Sequence, residues 1–207
     1  MNTERLMLRF HPLTPSRWPD LVKLFGPKGA CGGCWCMFWR LPFKQWKEKK
    51  GARNRRAFRR IVMSGPAPGL LGYHKREPVA WCCIGLREEF PVLDRHPVFA
   101  RIDNKPVWTI SCLYIARGWR KQGVSVLCLR AAVDFARRKG ARLVEGYPVE
   151  PRKRMPDAFV YTGLASAFRK AGFRKVYAWT PNRPVMRKRT GTITKSKKQR
   201  APRSPSS

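Results

Sequence analysis

The stretch Ile115-Ala116-Arg117-Gly118-Trp119-Arg120-Lys121-Gln122-Gly123-Val124-Ser125 joins the most strand-like run of the chain to its most helix-like run. Before it, Val107 to Ile115 is a short apolar segment rich in β-branched and aromatic residues, the signature of a buried strand. After it, Gln122 to Lys139 carries Val126, Leu127, Leu129, Val133 and Phe135 at helical spacing and stops at Gly140. A strand, a glycine and a helix start in that order make an anion site. Gly123 lets a ligand approach the backbone, and the first amides of the helix lack internal acceptors and sit at the positive end of its dipole. Arg117, Arg120 and Lys121 add charge at the same place. Locally, a diphosphate cradle and an ordinary basic strand-to-helix turn both fit, because one glycine loop does not decide between them. No G-K-S/T follows a glycine at P-loop spacing, and G-x-G-x-x-G is absent, which removes the two commonest nucleotide loops.

Outward from this unit the chain alternates between short strands and helices. Arg5 to Phe10 is predicted as a first strand, and Leu21, Val22, Leu24 and Phe25 mark a short helix ending at Gly26 and Pro27. Phe43 to Ser64 is predicted as one helix with Trp46, Phe58, Ile61 and Val62 on its apolar side. Leu70 to His74 and Pro78 to Leu86 read as a hairpin, and Arg87 to Pro106 as a polar connection. Arg142 to Gly146 is a strand, and Thr162 to Ala171 a helix closed by Gly172. Phe173 to Thr180 and Pro184 to Arg187 supply the last strands. The segment from Arg189 to Ser207 is Lys, Arg, Ser, Thr and Pro with Ile193 as its one large apolar residue, a composition expected to stay disordered. The expected domain therefore spans residues 1–188, followed by a basic tail over 189–207.

The chain has 207 residues, enough for one domain, and 43% of them are hydrophobic, which excludes a wholly disordered protein. No run of 18 apolar residues occurs, so no membrane-spanning helix is expected, and no membrane partner. Met1 to Arg5 lacks the basic-then-apolar layout of a secretory signal, so the expected compartment is the cytoplasm. Seven cysteines cannot all pair within one chain, and free thiols are expected there. Cys82, Cys83, Cys112 and Cys128 lie in apolar runs and read as small core residues.

Arg120-Lys121-Gln122-Gly123-Val124-Ser125 resembles the Q/R-x-x-G-x-G/A pyrophosphate loop of the GNAT superfamily of acyl-CoA-dependent N-acyltransferases. Phe168-Arg169-Lys170-Ala171-Gly172-Phe173 resembles that family's late F/Y-x-x-x-G-F signature, and the order of elements from about residue 5 to 188 fits as well. The resemblance implies an α+β, mixed three-layer fold whose mostly antiparallel central sheet splays open beside the central strand and is flanked by helices. It implies acetyl-CoA as co-substrate; no metal is expected. The pantetheine arm would run along Leu113, Tyr114 and Ile115, the amides of Gln122, Gly123, Val124 and Ser125 would hold the pyrophosphate, and Arg120 and Lys121 would add charge. Ser125 replaces the last glycine or alanine of the loop. Phe168 stands where many members carry the tyrosine that protonates the leaving thiolate, which leaves the acid to another group, with Tyr161 the nearest candidate, or to water.

Acyl transfer to an amine needs a proton acceptor for the nucleophile and a donor at the carbonyl oxygen. The resemblance assigns the second role to the backbone N–H of Ile115. The acidic candidates for the first are Glu88, Glu89, Asp103, Glu145 and Glu150. Glu145, on the strand after the loop helix, is placed to reach the cleft and is the preferred candidate; Glu88 and Glu89, which follow a strand, are placed to reach it from the other side, against the alternative that each of these carboxylates only pairs with the 45 basic residues.

Cys31-Gly32-Gly33-Cys34-Trp35-Cys36 has one half of a zinc-site pattern but no second half, and His11, His74 and His96 are isolated. A reactive-thiol role and a buried apolar stretch remain the other readings. In the second, Trp35, Phe38 and Trp39 would wall the acceptor. The net charge of +33 exceeds what one acetyl-CoA site requires, and between Arg40 and Arg60 ten basic residues face one acid, Glu48. Non-specific nucleic-acid contact through residues 40–60 and the tail is one source of that excess, and a basic bias of the host's proteins is another. The leading expectation is an N-acetyltransferase acting on a primary amine of a small molecule or peptide, with a homodimer compatible. The alternative is a basic nucleic-acid- or ribosome-binding module without acyl transfer.

Overall fold

The computed structural model describes residues 7–153 and 155–191. Seven strands form one sheet: β1 (Arg9–Pro12), β2 (Gly69–His74), β3 (Glu77–Leu86), β4 (Trp108–Ile115), β5 (Leu143–Gly146), β6 (Arg174–Thr180) and β7 (Arg183–Arg189). Their spatial order is β1-β2-β3-β4-β5-β7-β6, and every neighbouring pair is antiparallel except β4 and β5. Among the described residues there are six α-helices: α1 (Trp18–Phe25), α2 (Phe43–Glu48), α3 (Ala52–Ser64), α4 (Pro91–Arg95), α5 (Val124–Arg138) and α6 (Ala165–Lys170).

The sheet is covered on both sides, which is why β2 and β3 read as unbroken apolar runs rather than as alternations. On one side Ala80, Cys82, Ile84, Ile110 and Leu113 pack against Val124, Cys128, Leu129, Ala132 and Ala136 of α5 and Phe168 of α6. On the other, Trp81, Cys83 and Cys112 meet Trp18, Leu21 and Phe25 of α1, Phe58 and Val62 of α3 and the Trp35–Trp39 loop.

Three expectations are corrected. The helix expected over Phe43 to Ser64 is two helices, because Gly51 adopts φ 77° and donates its N–H to the Gly33 carbonyl (3.0 Å). The connection expected to be polar over Arg87 to Pro106 contains α4 and begins at Arg87, whose side chain is fully buried. The first strand is shifted to Arg9–Pro12, with part of the expected segment outside the described residues. At the other end β7 continues through Arg189, one residue past the expected domain boundary, and residues 192–207 of the tail lie outside the described residues.

Candidate active site

β4 and β5 pair only through Trp108↔Val144, Thr109↔Glu145 and Ile110↔Gly146. Immediately afterwards the register of β4 against β3 slips, from Ile84↔Ile110 to Cys83↔Cys112, which leaves Ser111 as the extra residue of a bulge. A bulge bends and twists its strand. From Ser111 on, β4 follows β3 and leaves β5, and the splay opens there.

The backbone groups that face the splay follow from the alternation of an antiparallel ladder. The Ala116 N–H turns to β3 and donates to the Val79 carbonyl (2.9 Å), so the N–H groups of Leu113 and Ile115 face the other way. That of Leu113 donates to the Tyr161 carbonyl (2.7 Å). The Ile115 carbonyl accepts the Arg120 Nε–H (3.0 Å), which leaves the Ile115 N–H as the next strand donor towards the gap.

The loop after β4 makes a 3-10 turn over Arg117–Trp119 and reaches α5 through Lys121 (φ 62°) and Gly123 (φ 80°), both left-handed. Val126 is the first residue of α5 whose N–H returns to a carbonyl of the helix start, that of Gly123 (2.9 Å). The amides of Gly123, Val124 and Ser125 precede it, in the position from which a helix end holds an anion. Gln122 spends its side-chain amide on the Gly118 carbonyl (2.8 Å) and so stiffens the loop. The donor set suits a diphosphate. Arg120, assigned to the same anion, is engaged by Asp157 (2.6 Å) across the mouth of the splay.

The chain between Tyr147 and Leu164 crosses the splay as a strap. Val149 donates to the Gly163 carbonyl (2.8 Å), Ala165 donates to Val149 (2.9 Å), and Tyr161 takes the Leu113 N–H. That places Tyr161 against β4 within the run Leu113–Ile115. Its ring meets Phe38 edge-on (6.2 Å between centroids) and lies against Trp39 (6.4 Å). Burial pushes its phenol well above the usual value, so it holds its proton throughout the working range of an enzyme.

Glu145 does not join this group. Its carboxylate is spent on a separate ion-pair cluster, where Arg187 Nε donates to Oε2 (2.6 Å), Arg87 Nη1 donates to Oε1 (3.2 Å), and the Tyr147 hydroxyl also donates. Arg187 in turn grips Asp103 with both terminal nitrogens (2.6 and 2.9 Å), and Arg87 holds Asp94 (2.7 Å) and the Phe99 carbonyl (2.6 Å). Burial raises the Glu145 carboxyl pKa, and the two guanidiniums oppose the rise. The arrangement engages both oxygens of Glu145 in ion pairs and hydrogen bonds. The other acids are similarly engaged: Glu88 with Arg101, Glu89 with Arg40, Glu150 with Arg169.

Phe168 is fully buried, and its ring lies between Gly146 and Gly163. Trp35, expected in an acceptor wall, is a core residue stacked near Trp18 and Phe25, whereas Phe38, Trp39 and Trp46 form the aromatic group beside Tyr161. Trp35 and Cys36 both adopt left-handed backbone (φ 47° and 55°), a conformation uncommon for bulky residues. It drives the Cys36 thiol inward, where it accepts the Trp81 indole N–H (3.1 Å) and lies beside Cys83 and Cys112. The neighbouring thiols, and then burial, raise the Cys36 and Cys83 pKa values, and burial raises that of Cys34. The raised values favour the protonated thiol over the nucleophilic thiolate. Sequence reasoning missed the Ser111 bulge, Asp157, and the pair Arg183 and His96, which flank Tyr161 and Phe99. Charge and spacing gave no signal for any of them.

A splayed mixed sheet with a helix amide end in line with its central strand is the architecture of an acyl-transfer enzyme. The family model described as "Acetyltransferase (GNAT) family" matches residues 34–153, and the chain belongs to that family. Among solved structures it is similar to a GNAT-family acetyltransferase from Streptococcus agalactiae (TM-score 0.53, 12% identity, 88% of this chain and 95% of that one covered). It is similar also to one from Listeria monocytogenes (TM-score 0.51, 8% identity, 91% and 98% covered). A third, assigned to the family from Desulfovibrio desulfuricans, gives TM-score 0.51 at 13% identity, covering 89% and 100%. At such identities the likeness concerns the fold. No curated protein matches the sequence significantly.

Proposed function

We propose that this acetyltransferase moves an acetyl group from acetyl-CoA to a primary amine of a small molecule or peptide. The observation that carries the reading is the coincidence of three things at one opening. β4 leaves β5 after Ile110, the amides of Gly123 to Ser125 point out in line with it, and Tyr161 is anchored on Leu113. The α5 amides and Lys121 would hold the diphosphate, and the Ile115 N–H would donate to a carbonyl oxygen on which charge develops. The Tyr161 phenol, with its raised pKa, can give a proton to a leaving thiolate and take it back from solvent. Glu88, Glu89, Asp103, Glu145 and Glu150 are each engaged by an arginine, so the attacking amine arrives neutral or loses its proton to water. Occupation of the strand edge requires the Tyr161 carbonyl to yield the Leu113 N–H, and full charge on the loop requires Arg120 to leave Asp157. A screen of amines with acetyl-CoA, read by thiol release, tests the reading. Release above the hydrolysis blank for at least one amine supports it, and none for any class of amine refutes it.

A second property is supported by α3. Arg53, Arg55, Arg56, Arg59 and Arg60 are exposed on a helix without an acidic residue. Such a face suits non-specific contact with a polyanion, alongside the enzymatic reading rather than in place of it. RNA binding that is clear at about 50 mM salt and falls steeply by about 200 mM is its signature, and absence of binding at the lower salt removes it.

A further inference from the structure

On the face of the sheet that carries Glu145, three guanidiniums lie close to the core: Arg87, Arg187 and Arg183. The first two are matched by carboxylates, Arg87 with Glu145 and Asp94 and Arg187 with Glu145 and Asp103. Arg183, at the start of β7, is half-buried and has no carboxylate within ion-pair distance among the described residues. One of its terminal nitrogens donates to the Thr162 hydroxyl (3.3 Å), and its guanidinium lies over the Phe99 ring (5.7 Å to the centroid). A guanidinium carries five N–H donors, so most of this fork is unspent. A partly desolvated cation without a counter-ion is costly.

Its surroundings are those of the acceptor. Thr162, which it holds, is the neighbour of Tyr161. Phe99 stacks on His96 (4.5 Å) and on Trp39 (5.1 Å), and Trp39 lies against Tyr161. His96 contributes a second donor. Its Nδ1 accepts the Val98 N–H (3.3 Å), which fixes the remaining ring proton on Nε2. Burial and the Arg183 charge both lower the His96 pKa, so the ring is neutral at physiological pH and adds a hydrogen-bond donor without adding charge. Phe38, Trp39 and Trp46 supply an apolar wall beside Tyr161.

We propose that Arg183 is the acceptor-specificity residue of the enzyme and receives a carboxylate of the acceptor, which is a free amino acid or a similar amine that carries a carboxylate and an apolar side chain. This rests on the acetyl-transfer reading and narrows its substrate. The carboxylate pairs with the Arg183 fork, the apolar side chain lies against Phe38 and Trp39, and the amine is left beside Tyr161. The nitrogen attacks the thioester carbonyl, the N–C bond forms and the C–S bond breaks. The departing sulfur takes the Tyr161 proton and the nitrogen's surplus proton goes to water, giving an N-acetyl amino acid and free CoA.

The test compares L-phenylalanine with L-phenylalaninamide, and L-leucine with its amide, in the wild-type enzyme, Arg183→Lys and Arg183→Ala, each shown to be folded by its melting curve. A charge-assisted, forked contact predicts that the ratio of kcat/KM for acid over amide falls by about 10- to 100-fold in Arg183→Ala, with Arg183→Lys between. A ratio unchanged by Arg183→Ala, or a wild-type enzyme that turns over the amides and rejects the acids, overturns the proposal. A parallel measurement does not depend on turnover. N-acetyl-L-phenylalanine should raise the melting temperature of the wild type and leave that of Arg183→Ala unmoved, with the corresponding amide inert on both. No rise in the wild type overturns the carboxylate site. Failure of the acetyl-transfer reading looks different, since it abolishes thiol release from every amine, with or without a carboxylate.

Discussion

Gly146→Ala is the perturbation whose cost can be worked most fully from the structure. Gly146 forms the last rung between β5 and β4, opposite Ile110. A Cβ there would lie 2.5 Å from Cε1 and 2.7 Å from Cζ of Phe168, about 1 Å inside ordinary contact. The ring has nowhere to retreat. It is fully buried, stacked edge-on against Phe173 (4.9 Å), and a Cβ on Gly163 would already be 2.8 Å from its opposite edge. Overpacking of this kind costs about 1–3 kcal/mol. For a domain of this size that is a drop of roughly 2–12 °C in melting temperature. The displaced ring pushes on Gly163, two residues from the Tyr161 carbonyl that takes the Leu113 N–H, so turnover should fall as well. Differential scanning calorimetry with thiol-release kinetics reads both. Gly118→Ala is the control, because a Cβ at Gly118 meets nothing within 4 Å. If Gly146→Ala melts within about 1 °C of the wild type, the clamped-ring argument is wrong.

Tyr161→Phe should slow turnover by about 10²-fold or more with little change in CoA affinity, and rapid-mixing kinetics showing a wild-type rate would remove Tyr161 as the acid. Because its phenol pKa is raised, the wild-type rate should keep its alkaline plateau beyond about pH 10, and a descending limb below that value contradicts the assignment. Glu145→Gln should destabilise the fold by about 3–5 kcal/mol in urea titrations, since it strips two buried guanidiniums of a shared charge. A fully stable variant with collapsed kcat would instead restore Glu145 as the base. Arg187 holds the Asp103 carboxyl well below its usual range. Its contribution to stability is therefore present above about pH 4 and is lost as pH falls through the depressed value. Asp103→Asn should flatten the acid limb of stability against pH, and an identical limb in the variant would deny that role.

The sequence made the strand, loop and helix around Gly123 legible because their pattern is local: a run of apolar residues, a glycine, then a helical stripe. Topology followed from the resemblance rather than from periodicity. The splay was expected, but the bulge at Ser111 that opens it leaves no mark in composition. Gly51 was visible in the sequence, yet its role in dividing Phe43–Ser64 depends on its bond to Gly33, 18 positions away. The partners of Glu145 were illegible for a similar reason. A strand residue's face is set by register, and register put this one against Arg87 and Arg187. Arg187 and Arg183 look alike among 45 basic residues, and only three-dimensional pairing separates the neutralised guanidinium from the unmatched one.

The most direct measurement is calorimetric titration of the purified protein with CoA and, separately, with pantetheine, which lacks the diphosphate. If the amides of Gly123 to Ser125 hold that diphosphate, CoA binds saturably with a dissociation constant in the micromolar range and pantetheine binds at least about tenfold more weakly. No saturable heat with millimolar CoA, or equal affinity for the two ligands, contradicts the account.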